Sequence, residues 1–286
     1  MPTYLEILPS MDLVFKALVV ENPELLQGIL QGTLCHLPPE ELENPQILNA
    51  ARIIRRYDEK AAVVDVKLKT KKCKLIALEM QRDWKKYLPN RTLYTLCDMV
   101  VSQVKKGDAD YKMEDAIVIV ICDFVWDARL TGYHHIAKLR YDSGEPFTDK
   151  LSIHLLELPK VPSLSDGTLL WHYLKFIKSR TKEEFDMLIT DIPGMEKALE
   201  DLERLQADEE LREYLRVKEK DIATRNSEIV FARDEGREEG LEMGLEMKHL
   251  EIIRNSLINK LPLETIIAIT GATPSEIEAV KKELPS

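Results

Sequence analysis

The sequence has few of the residues that build zinc sites or disulfide frameworks. Its four cysteines include no Cys-x-x-Cys pair, and its six histidines form no His-Glu-x-x-His or comparable spacing. A zinc site is therefore not expected. The cysteines, at positions 35, 73, 97 and 122, are typical of isolated thiols in a reducing compartment.

Long apolar runs are also missing. No stretch approaches the ~20 apolar residues of a membrane span, and the first residues lack the basic start and apolar core of a signal peptide. With 44% apolar and 31% charged residues, the composition is that of a globular protein with a solvated helical portion. We expect a cytoplasmic protein with no membrane partner.

The acidic excess of the chain is unevenly distributed. The net charge is −10, but residues 60–112 hold thirteen Lys and Arg against six Asp and Glu. Residues 196–251 hold ten against eighteen. Because charges act over about 8–10 Å at physiological salt, the local balance matters more to an anionic ligand than the total does. DNA is therefore not excluded as a partner.

Helical and strand patterns alternate over roughly the first 160 residues. Apolar residues recur at helical spacing from Met11 to Leu34, and the alternation of Val64, Val66 and Leu68 predicts a strand. The continuously apolar run AIVIVIC predicts a strand covered on both faces. Together the patterns predict an α/β core with a mixed sheet, in the order α, β, β, α, β, β, β. Strands are expected at 61–69, 75–81, 116–124 and 151–159, with a helix over 88–106 and a hairpin-like region around SGEP before the last strand.

The remainder of the chain has a charged helical pattern. We predict a first domain over 1–165, a helical extension over 166–250 and a small helical tail over 251–286. Within the extension, Gly236, Gly240 and Gly244 recur every four residues, although each helical Gly costs about 0.8–1 kcal/mol relative to Ala. These glycines are either a small-residue stripe for close helix contact, as in a homo-oligomer through 196–249, or a weak point in a solvated helix.

The tail has a helix, turn, helix pattern with a break at TGATPSE. A DNA-reading helix-turn-helix is one interpretation, and it would make the protein a transcription regulator. The second helix, PSEIEAVKKEL, carries three Glu against two Lys, whereas a helix that reads a DNA groove normally needs basic and amide side chains. A helical packing tail is therefore favoured.

One predicted hairpin brings two carboxylates together. A symmetric turn centred on Lys72 places Asp65 directly opposite Glu79, with Cβ atoms about 4.5–5.5 Å apart. Facing carboxylates repel, and either water at a solvated face or a divalent cation such as Mg²⁺ can neutralise them. Geometry alone leaves both interpretations open, because exposed hairpins with Asp and Glu are common.

The neighbouring residues favour a phosphate substrate. Lys67 shares a face with Asp65, Gln81 shares one with Glu79, and the next helix carries Arg91 and Tyr94. A bound metal ion beside Lys, Gln and Arg side chains suits a phosphodiester. An ordinary amphipathic helix surface is the alternative interpretation for Arg91 and Tyr94.

The order of these motifs resembles the PD-(D/E)XK nuclease superfamily, and more narrowly the recombination-promoting nuclease/putative transposase family. The matching segments are MDLVFKALV, VVDVKLK, IALEMQRD, RTLYTLCDMVVSQVKKGDADY, AIVIVICDF and IHLLELPK, with the EGREEGLEMGLEMK repeat behind them. The resemblance implies a restriction-endonuclease-like mixed sheet flanked by helices, followed by a charged helical extension. It also implies a Mg²⁺-dependent DNA endonuclease associated with recombination or mobile elements.

Through this resemblance Asp65 and Glu79 correspond to the metal ligands of the superfamily. Asp12 matches an acidic residue that can support the site from the first helix, although an N-terminal cap is an equally good interpretation. Gln81 stands where the superfamily most often has Lys, so a positive charge is missing there. Lys67 could supply that charge. The competing hypothesis is a catalytically silent DNA-binding or assembly protein that retains the fold.

Overall fold

A computed structural model describes residues 3–48, 66–104, 107, 110–188 and 192–283. The first four α-helices are α1 (Asp12–Glu21), α2 (Pro23–Thr33), α3 (Leu88–Val101) and α4 (Leu169–Lys178). They are followed by α5 (Lys182–Asp186), α6 (Met195–Ala207), α7 (Glu209–Ile258), α8 (Leu263–Thr270) and α9 (Pro274–Lys282). The strands are β1 (Gln46–Ile47), β2 (Val66–Lys69), β3 (Leu75–Gln81), β4 (Ala116–Cys122), β5 (His134–Lys138) and β6 (Leu151–Glu157).

The six strands form one mixed sheet in the order β1-β2-β3-β4-β6-β5. The three central strands β3, β4 and β6 run parallel, whereas the pairs β1–β2, β2–β3 and β5–β6 are antiparallel. All seven residues of β4 are buried, as its continuous apolar sequence predicts for a central parallel strand. The predicted α/β fold with a mixed sheet and flanking helices is confirmed.

Helices cover this sheet through apolar side chains. Helix α3 places Leu96 and Met99 against Ala77, Val118 and Val120, which belong to β3 and β4. Helix α1 packs against β3, α2 and α6, while α2 also packs against α4. The strand that carries Glu79 therefore contacts helices from two different parts of the chain.

The described chain separates into two compact units, Met1–Tyr214 and Leu215–Ser286. In the second unit, the last turns of α7 pack with α8 and α9 around a small apolar cluster: Ile253, Ile266, Ala272, Ile277 and Val280. A capping box between Thr273 and Glu276 begins α9, at the break predicted from TGATPSE. The domain boundaries predicted near residues 165 and 250 stay predictions.

Not one of the helices in the described ranges combines the length and the apolar character that crossing a membrane requires.

Candidate functional site

The hairpin of β2 and β3 pairs symmetrically about position 72. Val66 lies opposite Leu78 and Lys69 lies opposite Leu75, which is the predicted register. The turn is closed by the Cys73 N–H, which donates to the Thr70 carbonyl at 2.9 Å. Asp65, the first member of the predicted carboxylate pair, lies outside the described residues.

Glu79 is the described centre of the candidate site. Only 1% of this residue is exposed. Its Oε2 accepts a hydrogen bond from the Gln81 side-chain amide at 3.2 Å, and the Arg91 guanidinium lies 3.5 Å from the same oxygen. The structure thus places Glu79, Gln81 and Arg91 together, although Arg91 comes from helix α3.

This carboxylate lies near the carboxyl ends of three parallel strands. The last residues of β3, β4 and β6 form one row, in which Gln81 pairs with Cys122 and Cys122 pairs with Glu157. In open α/β sheets, ligands bind outside the carboxyl ends of the strands. Glu79 precedes the end of its strand by two residues and shares a face with Gln81.

The same row contains a buried carboxylate that the sequence patterns did not identify. Glu157 is fully buried, and its oxygens accept hydrogen bonds from the Lys160 ammonium at 2.9 Å and the Trp126 N–H at 2.8 Å. His135 lies 3.2 Å from it as well. Burial, followed by the negative charges of Glu157 and Glu79, raises the pKa of the Cys122 thiol between them, so this thiol stays protonated.

Lys67 lies on the α3 side of the hairpin. It is opposite Ala77, two positions from Glu79 along β3, and its ammonium forms an ion pair with Asp98 at 3.0 Å. The hairpin-tip lysines pair elsewhere: Lys71 with Glu43 at 2.8 Å and Lys72 with Glu41 at 3.0 Å.

The remaining predicted residues stand apart from these contacts. Asp12 is the first residue of α1, where Met11 is the N-cap, and its carboxylate pairs with Lys16 at 2.9 Å. The alternative interpretation of Asp12 as the N-cap is therefore wrong. Tyr94, one turn beyond Arg91 in α3, is 72% exposed.

Among the described residues, no three His, Cys, Asp or Glu side chains stand close enough to bind a metal ion together. Glu79 contributes two hard oxygen atoms in a buried position, and such oxygens are the ligands that Mg²⁺ prefers. Glu79 thus fits one of the two carboxylate ligands predicted for a magnesium site, and the other predicted ligand is Asp65.

A mixed sheet flanked by helices, with a buried Glu near the carboxyl end of a central strand, defines a restriction-endonuclease-like protein of the PD-(D/E)XK type. The sequence model for PD-(D/E)XK nuclease family transposases matches residues 9–232. The chain belongs to this family. No match was found among the curated proteins, and none among the solved structures.

Membership in this family makes the first part of the chain a nuclease-type domain. PD-(D/E)XK nucleases generally use divalent metal ions, and a nuclease-like family implies a DNA substrate. The resemblance inferred from the order of the motifs is confirmed at the level of the family.

Proposed function

We propose that this protein is a metal-dependent DNA endonuclease associated with recombination or mobile elements. The observation that carries the proposal is the buried Glu79 carboxylate, which is held by Gln81 and Arg91 near the carboxyl end of β3. A charged group is expensive to bury, so an acidic residue in such a place is a candidate functional group.

In this proposal Asp65 and Glu79 would hold Mg²⁺, and Asp12 would support the site from α1. A Mg²⁺ ion bound there would supply the means to activate water and to neutralise charge on the phosphodiester. The Gln81 amide orients the water by a hydrogen bond, while Arg91 and Tyr94 contact backbone phosphates from α3. Arg91 is suited to this because its planar guanidinium can contact Glu79 and a phosphate oxygen at the same time.

The direct test is the nicking of supercoiled plasmid DNA by the full chain. Cleavage is expected with Mg²⁺ and is expected to stop when EDTA removes it. Cleavage that survives both Asp65→Ala and Glu79→Ala would overturn the site assignment. Wild-type protein that leaves both the plasmid and single-stranded DNA intact with either Mg²⁺ or Mn²⁺ would overturn the activity.

Lys67 supplies the positive charge that Gln81 lacks, according to this proposal. Lys67→Ala is expected to reduce cleavage by roughly 10²-fold, as the loss of one preorganised charge-stabilising donor does. Lys71→Ala is the matched control, because its side chain is also partly exposed and also pairs with a carboxylate. The initial nicking rates of the two variants would be compared. Equal reductions would exclude Lys67 as the source of the positive charge in the site.

A catalytically silent DNA-binding protein is the second candidate function. Gln81 favours it, since this residue stands where the superfamily most often has Lys and a neutral amide stabilises less negative charge than an ammonium. A wild-type chain that binds DNA in EDTA but cleaves nothing with divalent metals would decide for this alternative.

Self-association through α7 is a further part of the proposal. This helix is 50 residues long, and a Cβ added at Gly236, Gly240 or Gly244 would meet nothing within 4 Å in the described chain. Met243 and Met247 are more than half exposed beside this stripe. An exposed strip of small and apolar residues on a helix is suited to close packing against a second copy.

Gly240→Leu is expected to convert the oligomer to smaller species. The substitution raises helix propensity by about 0.8 kcal/mol, so lost association would report blocked packing and not a broken helix. Glu238→Leu, two residues earlier and on the opposite side of the helix, is the control. Sedimentation velocity measures the outcome, and an unchanged distribution for Gly240→Leu would contradict the stripe.

A further inference from the structure

Three aromatic side chains cluster in the loops that follow β3 and β4. The ring centroid of Trp84 lies 5.3 Å from that of Trp126 and 5.8 Å from that of Phe124, both in edge-to-face geometry. Phe124 and Trp126 are themselves stacked, with centroids 6.1 Å apart. We call these three residues the aromatic platform.

The platform lies near the carboxyl ends of the parallel strands, where the candidate site also lies. Trp84 follows Gln81, the last residue of β3, by three positions, and three residues span at most about 11 Å. Phe124 and Trp126 pack against the apolar cluster that contains Ala77, which is on the same side of β3 as Glu79. The platform and the buried Glu79 carboxylate thus lie at the same end of the parallel strands and on the same face of the sheet.

The base of the platform is fixed, whereas its top is open. Phe124 and Trp126 are partly buried. The backbone N–H of Trp126 donates a hydrogen bond to the fully buried Glu157, which also accepts one from Lys160. Trp84 is 46% exposed on top of them. An exposed indole leaves apolar area in water, at a cost that a ligand stacking on it would remove.

The charge around Trp84 indicates what that ligand is. Residues 82–86 read RDWKK, with three basic residues against one acidic residue. Lys86 is exposed and Lys85 is half-buried. Aromatic rings combined with positive charge form the arrangement by which proteins bind single-stranded nucleic acid, because bases stack on the rings while the cations contact the phosphates.

We propose that the aromatic platform stacks an unpaired base of single-stranded DNA beside the bond to be cleaved. A base inside a duplex has both faces covered by its neighbours, so it cannot stack on Trp84 unless it leaves the helix. Because three residues span at most about 11 Å, Trp84 lies close enough to the end of β3 to hold a base near the scissile phosphate. This inference rests on the proposed nuclease function and names its substrate class.

The test is equilibrium binding by the full chain in EDTA, where cleavage does not interfere. Fluorescence anisotropy would compare a labelled single-stranded DNA oligonucleotide with the duplex of the same sequence. Wild-type protein is expected to bind the single strand more tightly, and Trp84→Ala to weaken single-strand binding by about 5-fold or more. Trp84→Phe is expected to restore much of the affinity, because it retains an aromatic face.

The matched control is another exposed aromatic pair of the chain. Tyr141 and Phe147 pack edge to face, with ring centroids 5.6 Å apart, in the loop that precedes β6. This loop lies at the amino ends of the parallel strands, opposite the candidate site. Tyr141→Ala is expected to leave single-strand binding unchanged. Equal losses in Trp84→Ala and Tyr141→Ala, or equal wild-type affinity for single strand and duplex, would overturn the platform. Equal affinity for RNA of the same sequence would overturn DNA as its ligand.

The failure of this inference is distinguishable from the failure of the proposed function. Cleavage of single-stranded DNA with Mg²⁺ that is lost in Glu79→Gln and unaffected by Trp84→Ala would keep the nuclease and remove the platform. Binding that prefers single strands and depends on Trp84, in a protein without metal-dependent cleavage, would keep the platform and remove the catalytic proposal.

Discussion

Replacing Glu79 with Gln is expected to reduce DNA cleavage by roughly 10³-fold or more while the protein still folds. The substitution keeps the size of the side chain and its contact with the Gln81 amide, but it removes the negative charge that would hold Mg²⁺. The Arg91 side chain is 37% exposed, so water can solvate its guanidinium once the charge of Glu79 is removed, and little stability is expected to be lost. Plasmid nicking rates and thermal unfolding would be measured on the same preparation.

Glu41→Gln provides the matched control for this prediction. Glu41 is another buried carboxylate, which contacts the turn of the same hairpin, 3.0 Å from Lys72 and 3.4 Å from Lys74. Its loss is expected to cost about 1–3 kcal/mol of unfolding free energy and to leave cleavage intact. If both variants lost stability and activity in proportion, Glu79 would be a structural residue and the metal site would be excluded.

The sequence predicted the framework of this site because local patterns determined it. The alternation in 61–69 and 75–81 set the register about Lys72, and the seven apolar residues of β4 required a strand covered on both faces. The likeness to a nuclease family came from the order of these pieces. The register of the hairpin and the burial of β4 could be predicted because each depends on residues within one or two elements.

Long-range neighbours could not be predicted in the same way. Glu79 and Gln81 alternate with apolar residues as they would on a solvated strand, and only packing in the folded protein buries Glu79 to 1% exposure. The pairing of Gln81 with Cys122 and of Cys122 with Glu157 depends on β4 and β6, which lie far along the chain. A Glu at the end of LSIHLLE gave no signal, since strands often end in polar residues.

Short and polar strands were predicted only in part. β1 has two residues and was missed, whereas β5, which begins with two histidines, was expected only as part of the hairpin-like region around SGEP. Neither strand has the apolar alternation that predicts a strand. Both strands lie at the edges of the sheet, where pairing with one neighbour is sufficient. Backbone hydrogen bonds to a longer strand place them, and these bonds leave no pattern in the sequence.

Gly194→Ala is expected to destabilise the first unit by about 3–5 kcal/mol, from the combined cost of backbone strain, a lost helix cap and a buried hydrogen bond. Gly194 has φ +73° immediately before α6, and an added Cβ would lie 2.3 Å from the Leu25 nitrogen and 2.9 Å from Asn22 Oδ1. Asn22 is fully buried and joins the two segments: its Nδ2 donates to the Gly194 carbonyl at 2.8 Å, and its Oδ1 accepts from the Leu25 N–H at 3.0 Å.

Gly132→Ala separates backbone strain from the other causes of this loss. Gly132 has φ +83°, yet an added Cβ there would meet nothing within 4 Å, so only backbone strain of about 1 kcal/mol is expected. All three tryptophans lie in the first unit, so their fluorescence during urea unfolding reports on it directly. A clear excess of the Gly194 loss over the Gly132 loss measures the cost of separating α2 from the start of α6. Equal losses would mean that this contact adjusts freely and that Asn22 does not fix the two helices.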